Sequence, residues 1–95
     1  MTTTVINIRG IRDLRGIELI DRTTVHGNPF ILGKHGNRDQ VCNSHETYFL
    51  ARVENDLQYR TYVLALKDCV LGCWCAPLRC HGHTIARWLD NGPRS

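Results

Sequence analysis

The stretch Lys67–Asp90, KDCVLGCWCAPLRCHGHTIARWLD, constrains the fold more than any other part of this chain. It holds four of the five cysteines, two of the five histidines and both tryptophans. Asp68–Cys75 is mostly apolar and free of proline, which suits a strand covered on both faces. Side chains alternate along a strand, so Cys69, Leu71, Cys73 and Cys75 share one face and Val70 and Trp74 the other. Ala76-Pro77-Leu78-Arg79 ends the strand. Cys80–Leu89 follows as a helix with Ile85, Trp88 and Leu89 as its inward stripe, stopped by Asn91-Gly92-Pro93.

The preceding residues supply the other elements. Thr4–Ile8 is a β-branched run that predicts a first strand. Gly10 and Gly16 bracket a charged connection. Ile17–Asp21 predicts a short second strand, suited to a sheet edge because one face carries charge. Gly27-Asn28-Pro29-Phe30 is a tight loop, since Asn before Pro is biased away from helix. Gly33–Asn37 is a second turn, and Asn37 or Asp39 can cap a helix. Arg38 to about Val53 has helical spacing, with Val41, His45, Tyr48, Phe49 and Arg52 near one face. His45 is expected as a core histidine whose ring nitrogens find partners, and Cys42 as a small buried residue. Glu54-Asn55-Asp56 interrupts the pattern and caps a second helix, Leu57–Leu66, with Tyr59, Tyr62, Val63 and Leu66 on one side. The expectation is a single small α/β domain over residues 1–95, with about three strands and three helices.

Composition narrows the class of protein. Hydrophobic residues at 42% and charged residues at 22% fit a soluble globular chain. No apolar run reaches the roughly 18 residues that span a bilayer, so no membrane partner is expected. The beginning, MTTTVINIRG, lacks a secretory pattern, which points to a cytoplasmic location. In a reducing compartment the five cysteines are expected as free thiols or metal ligands. A net charge of +3 decides little. Arg9, Arg12 and Arg15 read as a solvated loop more readily than as a nucleic-acid patch.

The chemistry concentrates where the Cys-rich strand meets the last helix. Cys73, Cys75, Cys80, His81 and His83 form a C-x-C-x4-C-H-x-H array with enough thiolate and imidazole donors for Zn2+. The spacing differs from that of zinc fingers, so a further ligand could come from His26, His35 or His45. The same loop suits an anion without a metal. A helix N-terminus presents unpaired N–H groups and partial positive charge, and Arg79 and His81 add to it. Gly27, Asn28, Pro29, Arg79 and Gly82 would then contact a nucleotide or a nucleic-acid phosphate. A cysteine at a helix N-terminus also has a lowered pKa, which makes Cys80 (or Cys75) a candidate nucleophile with His81 as acid and base. The C-x5-R pattern of tyrosine phosphatases is not expected, since Cys75 to Arg79 is too short and the loop lacks glycines. Plain core packing of the cysteines is the remaining reading. A composite site requires Asn28 to lie close to the Cys75–His81 loop.

The motifs Gly27-Asn28-Pro29-Phe30 and Leu71-Gly72-Cys73-Trp74-Cys75-Ala76-Pro77-Leu78-Arg79-Cys80-His81-Gly82 resemble those of domain-of-unknown-function family 4326, small proteins of phages and actinobacteria. The resemblance runs from about Val5 to Leu89. It implies a phage-type accessory protein in a host cytoplasm. Such a protein would bind zinc or a nucleotide-like phosphate, modify nucleotides or nucleic acid through a cysteine, or bind a host protein. Family members usually carry Asp where this chain has His83, and bulky apolar or aromatic residues where it has Asn43, Ser44 and His45.

Overall fold

A computed structural model describes residues 2–21, 23–76 and 78–91 of the chain. Pro77 of the expected loop, and Gly92 and Pro93 of the expected helix stop, lie outside the described residues. The elements are β1 (Thr4–Asn7), β2 (Ile17–Leu19), α1 (Arg38–Asn55), α2 (Leu57–Leu64), β3 (Val70–Cys73) and α3 (His81–Asn91). The chain is thus a small α/β domain of three strands and three helices. The two early strands are shorter than their β-branched runs predict. Ile8 and Ile20, just past the strand ends, still donate to the Cys73 and Gly72 carbonyls at 2.8 and 3.1 Å and stay buried, at 4% and 0% exposure.

All strand pairing is parallel, in the order β1-β3-β2. The last strand is therefore the central one, and β2 is an edge, as its charged Glu18 suits. Leu71, Gly72 and Cys73 are all buried, the mark of a strand covered on both faces. The connection from β1 to β2 has to pass β3, and Gly10 and Gly16 turn it with φ of 81° and 78°. Gly72 sits beneath Ile8 and Ile17, where a Cβ would stand 2.7 and 2.8 Å from their Cγ2 atoms. On the opposite face Leu71 and Cys73 join one apolar cluster with Ile20, Phe49, Val53, Tyr59, Val63, Ile85, Trp88 and Leu89. The helices pack on that face, giving two layers.

Helix starts follow from capping. The Asn37 side chain accepts from the Gln40 N–H at 2.9 Å, and Gln40 Oε1 accepts from the Asn37 N–H at 2.8 Å, a reciprocal capping box for α1. Asp56 caps α2 by accepting from the Tyr59 N–H at 3.0 Å. Tyr62, expected on the inward side of α2, is instead 46% exposed. Among the described residues no helix is long and apolar enough to cross a membrane.

Candidate functional site

Parallel strands deliver their carboxyl ends to one edge of the sheet, and there a cleft opens. Its base is the end of β3, through Cys73, Trp74 and Cys75. One wall is the start of α3 with Arg79, Cys80 and His81. A second is the first turn of α1 with Arg38, Val41 and Cys42. The segment after β2 closes it with Asp21, Asn28, Phe30 and Leu32. The enclosed volume is about 170 Å³, room for a small ligand or part of a nucleotide. Asn28 and the Cys75–His81 loop thus lie on one cleft, the juxtaposition that a composite site requires.

Neighbouring groups fix the loop. Asn7, at the end of β1, donates from Nδ2 to the Ala76 carbonyl at 2.9 Å and to that of Trp74 at 3.3 Å. Trp74 Nε1 donates to Asp21 at 3.3 Å. The Thr23 hydroxyl, bonded to Asp21, is the main influence holding that carboxyl below its ordinary pKa. Arg79 turns away toward α1, pairing with Asp39 at 3.2 Å and donating to Asn43 at 2.8 Å. It fastens the loop to α1, a role that its place in the sequence does not reveal. Arg38 donates to the Arg79 carbonyl at 3.4 Å and, among the described residues, makes no ion pair. Asn28 accepts from the Phe30 N–H at 2.9 Å and donates to the Val41 carbonyl at 3.5 Å, so its side chain ties the G-N-P-F loop to α1. Gly27 and Pro29 do not line the cleft.

The start of α3 is a capping box built from unusual residues. Cys80 Sγ accepts from the Gly82 N–H at 3.5 Å, and His83 Nδ1 accepts from the Cys80 N–H at 3.1 Å. His83, a candidate zinc ligand by spacing, thus serves the helix cap in the position usually given to Glu or Gln. Gly82 is buried where a Cβ would stand 2.5 Å from Ile20 Cδ1 and 3.2 Å from Val5 Cγ1. Its evident job is to let α3 approach the sheet.

The sulfur atoms differ in chemistry. All five cysteines are free. Cys42 Sγ donates to the Arg79 carbonyl at 3.7 Å, and burial raises its pKa, so it stays a thiol. Cys73 and Cys80 both line the cleft, and each shifts the other's ionisation. Donation from Cys80 pulls the Cys73 pKa down to about 5, and the Ala76 and Cys75 N–H groups assist. The same bond, with burial, pushes Cys80 up. The Cys73 pKa is thus drawn down and that of Cys80 up, the reverse of the order that helix position alone suggests.

His81 completes the arrangement. Its Nε2 lies 2.6 Å from the Ile20 carbonyl, and its Nδ1 lies 3.5 Å from Cys80 Sγ. A carbonyl can only accept, so Nε2 carries hydrogen, and Nδ1 faces Cys80. The backbone at the end of β2 thus orients the imidazole against the Cys80 sulfur. Behind it lies His45, 0% exposed, with its ring centre 5.2 Å from that of His81. Neither His45 ring nitrogen has a hydrogen-bond partner among the described residues, contrary to the expected satisfied core histidine. Burial, with His81 beside it, lowers its pKa to about 3 and keeps it neutral. His26, also buried, has its pKa lowered chiefly by burial.

Four cysteines and His81 line the cleft, yet among the described residues no three His, Cys, Asp or Glu side chains are grouped to hold a metal ion. No curated protein and no solved structure matches the chain. A family model described as a domain of unknown function, DUF4326, matches residues 7–91.

Proposed function

The chain belongs to the DUF4326 family, whose description names no activity, and from the cleft itself we propose that it is a small enzyme acting on a nucleotide-like ligand through the Cys73 thiolate. The observation that carries this reading is the run Ile20 carbonyl, His81, Cys80, Cys73, in which each member holds the next at the wall of the cleft. It has the form of an activated nucleophile: a thiolate, a proton reservoir and an oriented base. Cys73 would attack an electrophilic carbon of the ligand, forming a C–S bond and breaking the bond to the leaving group. The departing group takes the proton that Cys80 holds. Water then attacks the carbon of the C–S bond, its proton passing by way of His81 Nδ1 to Cys80, and the ligand leaves with the new hydroxyl as Cys73 returns to thiolate. Arg38 supplies positive charge for an anionic group, and Phe30 and Trp74, which is 51% exposed, offer faces on which a base can stack.

A nucleotide panel read by thermal shift tests the ligand. The expected result is stabilisation by one nucleotide class, weakened by Arg38→Ala. No shift across the panel would remove the nucleotide assignment. Zinc is the second reading, favoured by the four sulfurs that line one cleft. Elemental analysis of protein purified without added metal decides it. About one zinc per chain, lost in Cys73→Ser, would make the cleft a metal site instead. A nucleic-acid strand or a host protein as partner is tested by the same preparation in pull-down and mobility-shift assays.

A further inference from the structure

The cleft is smaller than a whole nucleotide needs. Its volume of about 170 Å³ falls below the roughly 300 Å³ at which pockets begin to enclose a drug-sized ligand, so it takes a base and leaves sugar and phosphate outside. The lip on which they would lie is the exposed Trp74, held by its bond to Asp21. The sheet order β1-β3-β2 sets what flanks that lip. The cleft opens toward the β2 side, where Asp21 lines it. Arg9 follows β1 on the other side and lines no part of the cleft. Its place is fixed by the backbone. The Ile8 N–H donates to the Cys73 carbonyl at 2.8 Å, and the Asn7 side chain that accepts from the Arg9 N–H at 2.8 Å also donates to the Trp74 carbonyl. Arg9 therefore stands about one strand spacing, roughly 4.8 Å, to the side of the β3 end.

Charge is divided along the strand axis. At the amino end Arg15, just ahead of β2, pairs with Asp13, and Lys67 pairs with Asp68 and Asp90. At the carboxyl end Asp21 is engaged by Trp74 and Asp39 by Arg79. Arg9, Arg38 and the exposed Lys34, two residues past Leu32 of the cleft wall, make no ion pair among the described residues. The arginines that read in sequence as one solvated loop are thus split between the two ends of the sheet, and Arg9 joins the cationic one. A lone nucleotide whose phosphate meets Arg38 has no use for a cation across Trp74, whereas a strand that continues past the cleft does. We propose that the substrate is a base within single-stranded nucleic acid, turned out of its strand into the cleft. Trp74 stacks the neighbouring base, and Arg9, Lys34 and Arg38 track the phosphates on either side. A duplex keeps its bases paired and stacked and is a poor fit. The proposal rests on the nucleotide reading of the cleft and names its substrate class.

Fluorescence anisotropy of full-length protein with a labelled single-stranded 12-mer of mixed sequence tests this, with its duplex and unlabelled mononucleotides as competitors. A deoxy and a ribo version of the strand tell the two sources of substrate apart. The single strand should bind about tenfold tighter than duplex or mononucleotide. Its log K should fall against log salt with a slope of about −2, as expected for three phosphate contacts on a single strand. Arg9→Ala should weaken strand binding several-fold and flatten the slope by about 0.7, while leaving the mononucleotide thermal shift unchanged. Mononucleotide or duplex binding as tight as that of the strand would overturn the proposal. So would an unchanged strand affinity and slope in Arg9→Ala. Either result leaves the nucleotide reading of the cleft standing, whereas no binding by strand or mononucleotide removes both. Should Arg9→Ala fail to fold, the wild-type ranking of strand, duplex and mononucleotide decides.

Discussion

Replacing His45 by Phe should stabilise this protein, and more so in mild acid than at neutral pH. His45 is fully buried between Phe49, at 5.7 Å and stacked, and His81, with both ring nitrogens unpartnered. An unsatisfied buried polar group costs about 1–3 kcal/mol, which a ring of similar shape without nitrogens avoids. The gain at neutral pH should be about 1 kcal/mol, since the larger Phe takes some of it back in packing strain. The pH term follows from linkage. His45 has a folded pKa of about 3 against 6.5 unfolded, so the unfolded chain binds the extra proton between those values. Stability is therefore full above pH 6.5 and falls as pH drops toward 3. At about pH 5 the loss from this residue is ~2 kcal/mol, from 1.36 kcal/mol per pKa unit. His26, lowered in the same direction, keeps a slope in both proteins, so the difference between them is the readout. The carboxylates with lowered pKa, among them Asp21 and Asp90, lose their contribution only below the ordinary carboxylate range. Urea unfolding at about pH 8 and about pH 5 should show the advantage of His45→Phe growing from about 1 to about 3 kcal/mol, or roughly 4–8 °C in Tm per kcal/mol. Equal acid sensitivity in the two proteins would refute the burial of a neutral His45.

Two further substitutions probe the scaffold. Gly72→Ala places a methyl group against the Cγ2 atoms of Ile8 and Ile17, which cannot both swing aside, and should cost about 1–3 kcal/mol in urea unfolding; a neutral effect would contradict the central placement of β3. Asn37→Ala removes the α1 capping box and should cost about 1 kcal/mol by the same measurement, while Asn37→Gly should cost only a few tenths.

Much of the fold was legible because its signals are local. The β-branched run at Thr4, the cap at Asn37, the break at Asp56 and the stripe Ile85, Trp88, Leu89 each act within one or two turns of chain. The order β1-β3-β2 was not legible, because parallel pairing joins Val5 to Leu71 across most of the sequence and leaves no local mark. At the cleft, residue spacing marked out the segment Cys73–His81. The division of labour within it depended on neighbours that only folding supplies. Arg79 fits an anion by charge, yet Asp39 and Asn43 engage it. His83 fits a metal by spacing, yet the Cys80 N–H occupies its Nδ1. Cys80 fits a thiolate by its helix position, yet Cys73 receives the hydrogen bonds from Cys80 and Ala76. Cys42 reached the cleft only through the docking of α1.

The claim at the centre is that Cys73 is a thiolate at neutral pH, and its alkylation rate tests this most directly. Iodoacetamide labelling of each cysteine, followed by mass spectrometry across a pH series, should show Cys73 reacting with a midpoint well below the roughly 8.5 of a free thiol, shifting upward in Cys80→Ala. A Cys73 midpoint at or above that value, or an unchanged midpoint in Cys80→Ala, would contradict the account.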